Sequence, residues 1–368
     1  MPTPRRKTRE FRVGNVPVGG SAPVSIQSMT NVPTRDPDVA LEQIGRLARL
    51  GCDIIRVAVD DDRDIRGLRA VTAASPIPVV ADIQFDAATA VGAVEAGAAA
   101  VRLNPGLVRD ARQLKPVAEA VLSRGVPVRV GVNSGSVGTE AVKRKIAQGL
   151  SHDEALVSAL VEAALRQCDQ LESLGVSAIK VALKSSSVPV TVAAYREFAR
   201  RTDYPLHLGV TEAGTKTRGI VKSACGIGAL LLEGIGDTLR VSLTAPPEEE
   251  ITAALSILES CGLRPAAPEI VSCPTCGRTE IDLPGLADRV EKLVCQIKSS
   301  GKRIRLGKIA VMGCPVNGPG EAKDADLGIA GSRSGEQILV FKAGKVLGAF
   351  PCEEGFAVFE KELLDSCE

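Results

Sequence analysis

VVADI (79–83), AVRLN (100–104) and VRVGVN (128–133) are three short apolar runs that decide the fold class of this chain. The stretches between them are rich in Ala, Leu, Glu and Arg, a composition typical of helices. Runs so rich in Val, Ile and Leu are expected for strands of a parallel sheet that is covered on both faces. The same alternation extends towards both ends of the chain and predicts eight strands: Val24–Ser28, Ile54–Val59, Val79–Ile83, Ala100–Asn104, Val128–Asn133, Ala178–Lys184, Leu206–Thr211 and Thr238–Leu243.

The eight units predict an α/β fold, a (β/α)8 TIM-type barrel, since eight strand–helix pairs in roughly 240 residues are the usual content of that fold. An open doubly wound sheet can carry a similar pattern. It usually has fewer strands, and it often has a glycine-rich dinucleotide turn after the first strand, which this sequence lacks. The predicted helices end at glycines: Gly51, Gly97, Gly125 and Gly175.

Two domains are predicted. Residues 1–262 form the barrel, and residues 263–368 form a small α+β domain, with the proline-containing segment Arg264–Pro268 as the linker. The elements predicted in the second domain are strands at Glu269–Ser272, Lys308–Val311, Gln337–Phe341 and Lys345–Phe350, and helices at Leu286–Ile297 and Phe356–Leu364.

Composition and charge exclude several classes of protein. The chain has 368 residues, of which 45% are hydrophobic, and a net charge of +1, so nothing in its charge points to nucleic acid or to a membrane surface. No apolar run approaches the length of a membrane span. Ten irregularly spaced cysteines do not resemble a secreted disulfide framework, so a cytoplasmic protein is predicted.

Cationic side chains lie in or at the ends of the apolar strands: Arg56, Arg102, Arg129, Lys180, Lys184 and Arg240. Any one of them is more often a structural ion pair, because a lone buried charge is costly. Several together at the carboxyl ends of barrel strands, where active sites of this fold collect, favour a pocket for phosphate or diphosphate. The polar residues predicted to complete this pocket are Asn104, Asn133, Thr211 and Ser242, and the carboxylates expected to orient the arginines or to handle protons are Asp82, Asp86 and Glu212. His207, within a strand, is interpreted as a satisfied core histidine.

Three cysteines of the second domain have the spacing of a metal or cluster site. CPTC (273–276) is a C-x2-C pair, and Cys314 follows 38 residues later (314 − 276). Together with the carboxylate of Glu321, three thiolates indicate an iron–sulfur cluster with one weakly held corner. A structural zinc site, with Cys352 as the fourth thiolate, is the alternative. The predicted ligands are Cys273, Cys276, Cys314 and Glu321.

Eight motifs carry a family resemblance over nearly the whole chain: QSMTN (27–31), VADI (80–83), RLNPG (102–106), RVGVN (129–133), HLGVTEAG (207–214), GIGDTLRVS (234–242), CPTC (273–276) and GCPVNGPGE (313–321). In these motifs the chain resembles the bacterial 4-hydroxy-3-methylbut-2-enyl diphosphate synthases, iron–sulfur enzymes of the non-mevalonate isoprenoid pathway. It looks like the compact bacterial form, because no large insertion separates the barrel from the cysteine-containing domain.

The resemblance implies an oxidoreductase. Its reaction is the reductive ring opening and dehydroxylation of 2-C-methyl-D-erythritol 2,4-cyclodiphosphate, which consumes two electrons and yields (E)-4-hydroxy-3-methylbut-2-enyl diphosphate. The resemblance also implies a [4Fe-4S] cluster on the four predicted ligands, with Glu321 as the displaceable one, and reduced flavodoxin or ferredoxin as the electron donor. The barrel arginines and Lys184 are then expected to hold the diphosphate, and Glu212 to take part in proton transfer. A head-to-tail homodimer, in which one subunit's cluster domain caps the partner's barrel, is implied as well.

The chain departs from the family in DIQFD (82–86), where the family usually has His in place of Gln84. A glutamine donates and accepts hydrogen bonds but carries no proton at neutral pH, so a positioning role is expected for Gln84. Two other classes of function are weighed against the synthase. One is a non-redox (β/α)8 phosphate-binding enzyme with a structural zinc module, which zinc without inorganic sulfide would support. The other is a non-catalytic electron carrier, and the polar residues at the barrel mouth argue against it.

Overall fold

The computed structural model describes residues 3–84, 86–103, 111–264, 268–279, 281–314, 322, 324–332 and 337–368. The chain divides into two compact units, Met1–Arg264 and Pro265–Glu368. Each unit has a hydrophobic core of its own, as expected for a separate domain.

Eight parallel strands form the sheet of the first unit: β3 (Ser25–Met29), β4 (Ile54–Val59), β5 (Val79–Ile83), β6 (Ala100–Leu103), β7 (Val128–Asn133), β8 (Ile179–Lys184), β9 (His207–Leu208) and β10 (Thr238–Leu239). Their hydrogen-bonded order is β8-β7-β6-β5-β4-β3-β10-β9. A parallel bridge between Val181 and Leu206 joins the two edges of this sheet. The sheet therefore curls into a barrel, which confirms the predicted TIM-type fold.

The last two strands are shorter than predicted. Regular pairing covers only His207–Leu208 and Thr238–Leu239, whereas Leu206–Thr211 and Thr238–Leu243 were expected. Polar residues that follow these two strands, Thr211 and Ser242 among them, line a cavity instead of extending the ladder.

Nine helices of the described chain belong to the first unit: α1 (Pro37–Arg49), α2 (Asp62–Ala74), α3 (Ala87–Glu95), α4 (Ala111–Arg124), α5 (Thr139–Ala147), α6 (His152–Ser173), α7 (Val188–Arg201), α8 (Lys216–Leu232) and α9 (Pro247–Ser260). Local sequence sets their ends. Ser151 and Glu154 form a capping box at the start of α6. Gly51 and Gly175 follow α1 and α6 with φ of 104° and 87°, a backbone conformation that favours glycine, so these predicted helix ends are confirmed.

An antiparallel hairpin that the sequence analysis missed precedes the barrel. It consists of β1 (Phe11–Val13) and β2 (Val16–Val18). Its apolar side chains pack against the amino ends of the barrel strands, in a cluster of Val13, Val18, Ile54, Val80 and Ala100. Full burial of one Val or Ile contributes roughly 1.5–3 kcal/mol, so the contact is substantial. Strands of three residues are too short for alternation to reveal them.

A row of charged side chains crosses four neighbouring strands inside the barrel. The register pairs Asp82 with Arg102, Arg102 with Arg129, and Arg129 with Lys180. Residues that are in register across a sheet point to the same face. All four side chains are buried, so this face is the barrel interior. The interior of a TIM barrel is more commonly filled by Val, Ile and Leu, so a row of charged residues there indicates a functional role.

The second unit contains one five-stranded sheet in the order β11-β12-β13-β14-β15. Its elements are β11 (Glu269–Ser272), α10 (Leu283–Ser299), β12 (Lys308–Met312), β13 (Leu327–Gly331), β14 (Gln337–Lys342), β15 (Lys345–Pro351) and α11 (Cys352–Asp365). The first three strands are parallel and the last three antiparallel. The strands and helices predicted here are present. The sequence analysis missed β13, because two of its five residues are Gly.

Candidate active site

A polar cavity of about 220 Å³ lies at the carboxyl ends of the barrel strands. Active sites of this fold are built at that end. Five of its lining residues are cations, and they come from five different strands or strand ends. The full lining is Arg56, Asp82, Gln84, Arg102, Arg129, Gly131, Asn133, Ala182, Lys184, Thr211, Arg240 and Ser242.

A larger groove, of about 580 Å³, lies on the outer surface between α6 and α7. Its lining includes the apolar residues Val157, Val161 and Val190. Glu197, at its edge, is already paired with Arg201. The charged residues that line the groove stand on the outer faces of the two helices, and Arg200 and Arg201 are both paired with Glu197. The cavity at the strand ends, with cations from five strands or strand ends, is therefore the candidate site.

Asp82 is the centre of the cationic cavity. Its Oδ1 accepts a hydrogen bond from Nη1 of Arg102 at 2.9 Å, and its Oδ2 lies 3.4 Å from Nε of Arg56. Burial by itself would raise the pKa of Asp82, but the positive charges of Arg56, Arg102 and Arg129 outweigh burial and lower that pKa to about 2. Asp82 is therefore an anion that holds two guanidinium groups in place.

Glu250 plays the same role for Arg240 and was missed by the sequence analysis. Arg240 donates from Nε and Nη2 to the two carboxylate oxygens of Glu250, each at 3.1 Å. Glu250 lies in the first turn of α9 and also accepts from the hydroxyl of Ser28 at 3.0 Å and from the backbone N–H of Leu243 at 3.1 Å. The bidentate pair fixes the plane of the Arg240 guanidinium. The only signal in the sequence was a run of three glutamates at a helix start, which is common on helix surfaces.

Cations outnumber carboxylates in the cavity. No carboxylate among the described residues lies within salt-bridge distance of Arg129 or Lys184. Burial lowers the pKa of both groups well below their ordinary values, and the neighbouring positive charges lower it further. Such an excess of buried positive charge is costly without a bound anion, so the arrangement suits a ligand with several negative charges.

Two glycines provide the space that the cations occupy. A Cβ added to Gly209 would lie 2.6 Å from Nζ of Lys184 and 2.8 Å from the carbonyl oxygen of Arg240. A Cβ added to Gly131 would lie 2.8 Å from Nε of Arg102. All three distances are shorter than real Cβ contacts. At Gly209 one of the close atoms is a backbone oxygen, so glycine is required there, whereas a Cβ at Gly131 would force the Arg102 side chain to shift.

The structure brings most of the predicted binding residues together. Arg56, Arg102, Arg129, Asn133, Lys184, Arg240 and Ser242 all line the cavity, as does Thr211. Gln84 also lines it, and its Nε2 lies 3.3 Å from Oδ1 of Asp82. Asn104 lies outside the described residues.

Among the described residues, no arginine lies within salt-bridge distance of Asp86, so its predicted role in orienting the arginines is not supported, and its role in proton handling stays a prediction. Its carboxylate caps α3 and accepts from the backbone N–H of Thr89 at 2.7 Å and from its hydroxyl at 3.0 Å. Glu212 is exposed and does not line the cavity itself, although it follows the lining residue Thr211. Its φ of 51° is unusual for a residue with a side chain, and such strain is more frequent at functional sites.

His207 is a core residue, as predicted, but only one of its two ring nitrogens has a hydrogen-bond partner among the described groups. Its side chain is fully buried, and Nδ1 lies 2.9 Å from the hydroxyl of Thr238. Nε2 has no hydrogen-bond partner among the described groups. Burial, helped by the positive charges of Lys184 and Arg129, lowers the pKa of His207 well below its ordinary value, so the ring is neutral.

In the second unit, two of the three predicted thiols lie beyond the carboxyl ends of neighbouring strands. Cys273 follows β11 and Cys314 lies two residues beyond β12, and these strands are parallel neighbours. The backbone N–H of Gly313 donates to Sγ of Cys273 at 3.2 Å. Cys276 is exposed, and hydrogen bonds from the backbone N–H of Arg278 and from Thr279 lower its pKa.

The geometry of the sheet bears on the fourth ligand. Cys352 directly follows β15, which is three strands away from β12. Three strand spacings amount to roughly 14 Å, which is too far for Cys352 and Cys314 to bind one metal ion or one cluster. Glu321 lies outside the described residues. Among the residues that are described, no group of three His, Cys, Asp or Glu side chains is already arranged around a metal position.

These features define a class: a (β/α)8 barrel with a cationic cavity at its strand ends, followed in the same chain by an α+β domain that carries the predicted ligand thiols Cys273, Cys276 and Cys314 among its six cysteines. The chain belongs to the GcpE family. Residues 8–255 match the model of the GcpE TIM-barrel domain, and residues 269–365 match that of the GcpE protein C-terminal domain.

Curated relatives share close to half of the sequence. The chain is 49% identical over 347 residues to a 4-hydroxy-3-methylbut-2-en-1-yl diphosphate synthase (flavodoxin) of Geobacter sulfurreducens, with 94% of each chain covered. It is 47% identical to the protein of that name from Desulfotalea psychrophila, covering 98% of this chain and 95% of the relative. For the Salinispora arenicola protein the identity is 49%, covering 94% and 85%. The family resemblance found in the sequence motifs is thereby confirmed. No described helix is both long and apolar enough to cross a bilayer.

Proposed function

We propose that this protein is a flavodoxin-dependent 4-hydroxy-3-methylbut-2-enyl diphosphate synthase. It takes 2-C-methyl-D-erythritol 2,4-cyclodiphosphate, breaks the ring C–O bond, and releases one hydroxyl as water. Two electrons and two protons balance the reaction, and the product is (E)-4-hydroxy-3-methylbut-2-enyl diphosphate. The observation that supports this most strongly is the convergence of five cations on one cavity in a chain of the GcpE family.

The diphosphate binds to the cations of the cavity. Asp82 holds Arg56 and Arg102, and Glu250 holds Arg240, so these three guanidinium groups are oriented before the substrate arrives. Positioning of this kind lowers the entropic cost of binding. Arg129 and Lys184 have no carboxylate partner among the described residues, so the negative charge of the diphosphate stabilises these two cations most. Asn133 and Ser242, which line the cavity, and Asn104 complete the hydrogen bonding.

Glu212 and Gln84 serve the organic part of the substrate. Glu212 is exposed beside the cavity and can move a proton between solvent and a leaving hydroxyl. Gln84 acts by position alone, because an amide does not titrate. Its hydrogen-bond distance to Asp82 ties it to the centre of the cation cluster.

The thiols fit a [4Fe-4S] cluster. Cys273 and Cys314 follow the carboxyl ends of two neighbouring parallel strands, and the backbone N–H of Gly313 donates to Sγ of Cys273. The pKa of Cys276 is lowered, which favours the thiolate form that binds iron. Cys273, Cys276, Cys314 and Glu321 hold the cluster in this proposal. When bound, it supplies the two electrons, one at a time.

Reduced flavodoxin is the electron donor, by analogy with the names of the relatives, and ferredoxin is the alternative donor. The protein works in the cytoplasm as a head-to-tail homodimer, in which the second domain of one subunit caps the barrel of the other. The dimer rests on family analogy.

Arg129→Met is the sharpest test of the cavity. It removes a buried cation that has no carboxylate partner among the described residues, so it should leave folding stability unchanged or raise it while turnover with cyclodiphosphate and reduced flavodoxin is lost. Arg196→Met is the matched control, because Arg196 is an exposed arginine paired with Glu233. Full turnover in Arg129→Met would contradict the proposal that this cavity binds the diphosphate.

Metal analysis tests the second domain. Protein purified without oxygen should contain about four irons and four sulfides per chain, and its visible absorption should bleach with dithionite. Cys276→Ser should lose the iron, whereas Cys352→Ser should keep it, because Cys352 lies three strands away from Cys314. Zinc without sulfide, together with failed reconstitution, would favour the non-redox phosphate-binding enzyme instead.

Subunit mixing tests the capping arrangement. Arg129→Met and Cys276→Ser subunits are each inactive, but a random mixture regains about one quarter of the parent turnover if cluster and barrel act across subunits. A mixture that stays inactive, while subunit exchange is shown by mass spectrometry, rejects capping in trans.

A further inference from the structure

A second, small cavity lies inside the barrel, on the amino side of the cationic cavity. Its volume is about 10 Å³, which is close to the minimum that one water molecule needs. Phe11 and Val13 of the hairpin line one side of it, and Val80 and Ala100 belong to the amino ends of their strands. The polar side chains in its lining are Gln27, Arg129 and Lys180.

These three polar side chains are almost completely buried, with exposed fractions of 2%, 3% and 3%. Their polar atoms have no hydrogen-bond partner among the described groups: Nε2 and Oε1 of Gln27, Nε and Nη1 of Arg129, and Nζ of Lys180. Buried donors without partners are rare and costly. Three separate side chains with unsatisfied groups at one cavity therefore indicate a ligand.

The charge around this cavity is positive. No carboxylate lines it among the described residues. Asp237, the carboxylate whose charge acts on Lys180, is already bound to Arg5, the hydroxyl of Thr8 and the backbone N–H of Leu206. Burial first, and then the charge of Arg129, lower the pKa of Lys180 to about 7, so its ammonium form lacks compensation.

We propose that this inner cavity binds one small monovalent anion of the halide class, held by Lys180, Arg129 and the amide N–H of Gln27. Four of the five unsatisfied atoms are donors, which excludes a metal cation. The size excludes phosphate and sulfate. A water molecule would satisfy some donors but would leave the two positive charges uncompensated.

The inner anion also affects the candidate active site, because Arg129 lines both cavities. An anion that accepts from one unsatisfied N–H of Arg129 restrains the guanidinium and leaves its other N–H groups for the ligand above. This positioning role rests on the proposed diphosphate chemistry. The binding of the anion does not, so the two can fail independently.

Crystals of the full chain grown in sodium bromide test the site directly. A single anomalous peak within contact distance of Nζ of Lys180 and of the Arg129 guanidinium is expected. Only a water-like peak without anomalous signal at that position would overturn the proposal.

Thermal unfolding provides a second readout that needs no substrate. At equal ionic strength, bromide should raise the unfolding midpoint more than gluconate, which is too large for the cavity. Above the dissociation constant, each tenfold rise in bromide should raise the folding constant about tenfold. Lys180→Met, which keeps the length and removes the charge, should abolish this difference, whereas the exposed control Lys292→Met should keep it. Equal midpoints in the two salts for the parent protein would contradict the proposal.

Discussion

Replacing Asp82 by Asn removes a carboxylate that faces both Arg56 and Arg102, at 3.4 and 2.9 Å. The isosteric amide keeps the volume but leaves several buried cations without their counter-charge. We expect Asp82→Asn to destabilise the barrel substantially, because the cost of burying those cations is then no longer offset.

The magnitude follows from two independent estimates. Lowering the pKa of Asp82 from 3.8 to about 2 corresponds to roughly 2–3 kcal/mol of stabilisation. Removal of one partner from a buried ion pair typically costs roughly 3–5 kcal/mol. A loss of about 3 kcal/mol is consistent with both, and it predicts a fall of roughly 6–12 °C in the unfolding midpoint for a domain of this size.

Urea unfolding of the full chain, followed by far-ultraviolet circular dichroism, is the suitable assay because the chain contains no Trp. Asp61→Asn is the matched control. Asp61 also has a pKa lowered to about 2, but its side chain is 39% exposed and caps α2, a role that Asn can fill. The control should therefore stay close to the parent.

The pH dependence gives a further check on Asp82. Its folded-state pKa is depressed, so its stabilisation is present above about pH 4 and is lost as the pH falls towards 2. The gap between parent and Asp82→Asn should narrow over that range. Added pyrophosphate should stabilise the variant more than the parent, because the cavity of the variant has lost its central anion. Equal unfolding curves for Asp82→Asn and Asp61→Asn would refute the reasoning.

Three other predictions concern the barrel interior. Gly131→Ala places a Cβ 2.8 Å from Nε of Arg102, so turnover should fall at least tenfold with a smaller loss of stability, as measured by steady-state kinetics and thermal unfolding. Lys180→Met in halide-free buffer should raise the free energy of unfolding below pH 7, where the folded parent buries an ammonium group. Urea titrations should show this gain in free energy shrinking by about 1.4 kcal/mol per pH unit between pH 7 and 10.5. It shrinks because, in that range, Lys180 binds a proton in the unfolded parent but not in the folded parent. Gln84→Ala should lower turnover less than tenfold and leave the shape of the pH–rate profile unchanged, because the amide that it removes does not titrate; a new titration in that profile would contradict a positioning role.

Local patterns in the sequence were sufficient for the barrel and for most of its cations. Periodicity and composition act over a few residues, so runs such as VRVGVN (128–133) identify strands and their order without knowledge of contacts. A charged residue within such a run must find compensation, which is why Arg102 and Arg129 are assigned to a pocket by their sequence context alone. The C-x2-C spacing, which is also a local property, located Cys273 and Cys276, and the Gly/Pro-rich motif GCPVNGPGE (313–321) located Cys314.

Only the tertiary structure decided which partners these cations have. Asp82 and Asp86 are equally plausible carboxylates in the sequence, but the register of β5 turns Asp82 into the barrel while Asp86 caps a helix. Glu250 reaches Arg240 from a helix turn that carries no distinguishing signal. The inner cavity beside Lys180 exists only because a hairpin of two three-residue strands packs against the far end of the barrel. Such contacts join residues that are far apart in the chain, and closure of the barrel, which no short window of sequence contains, creates them.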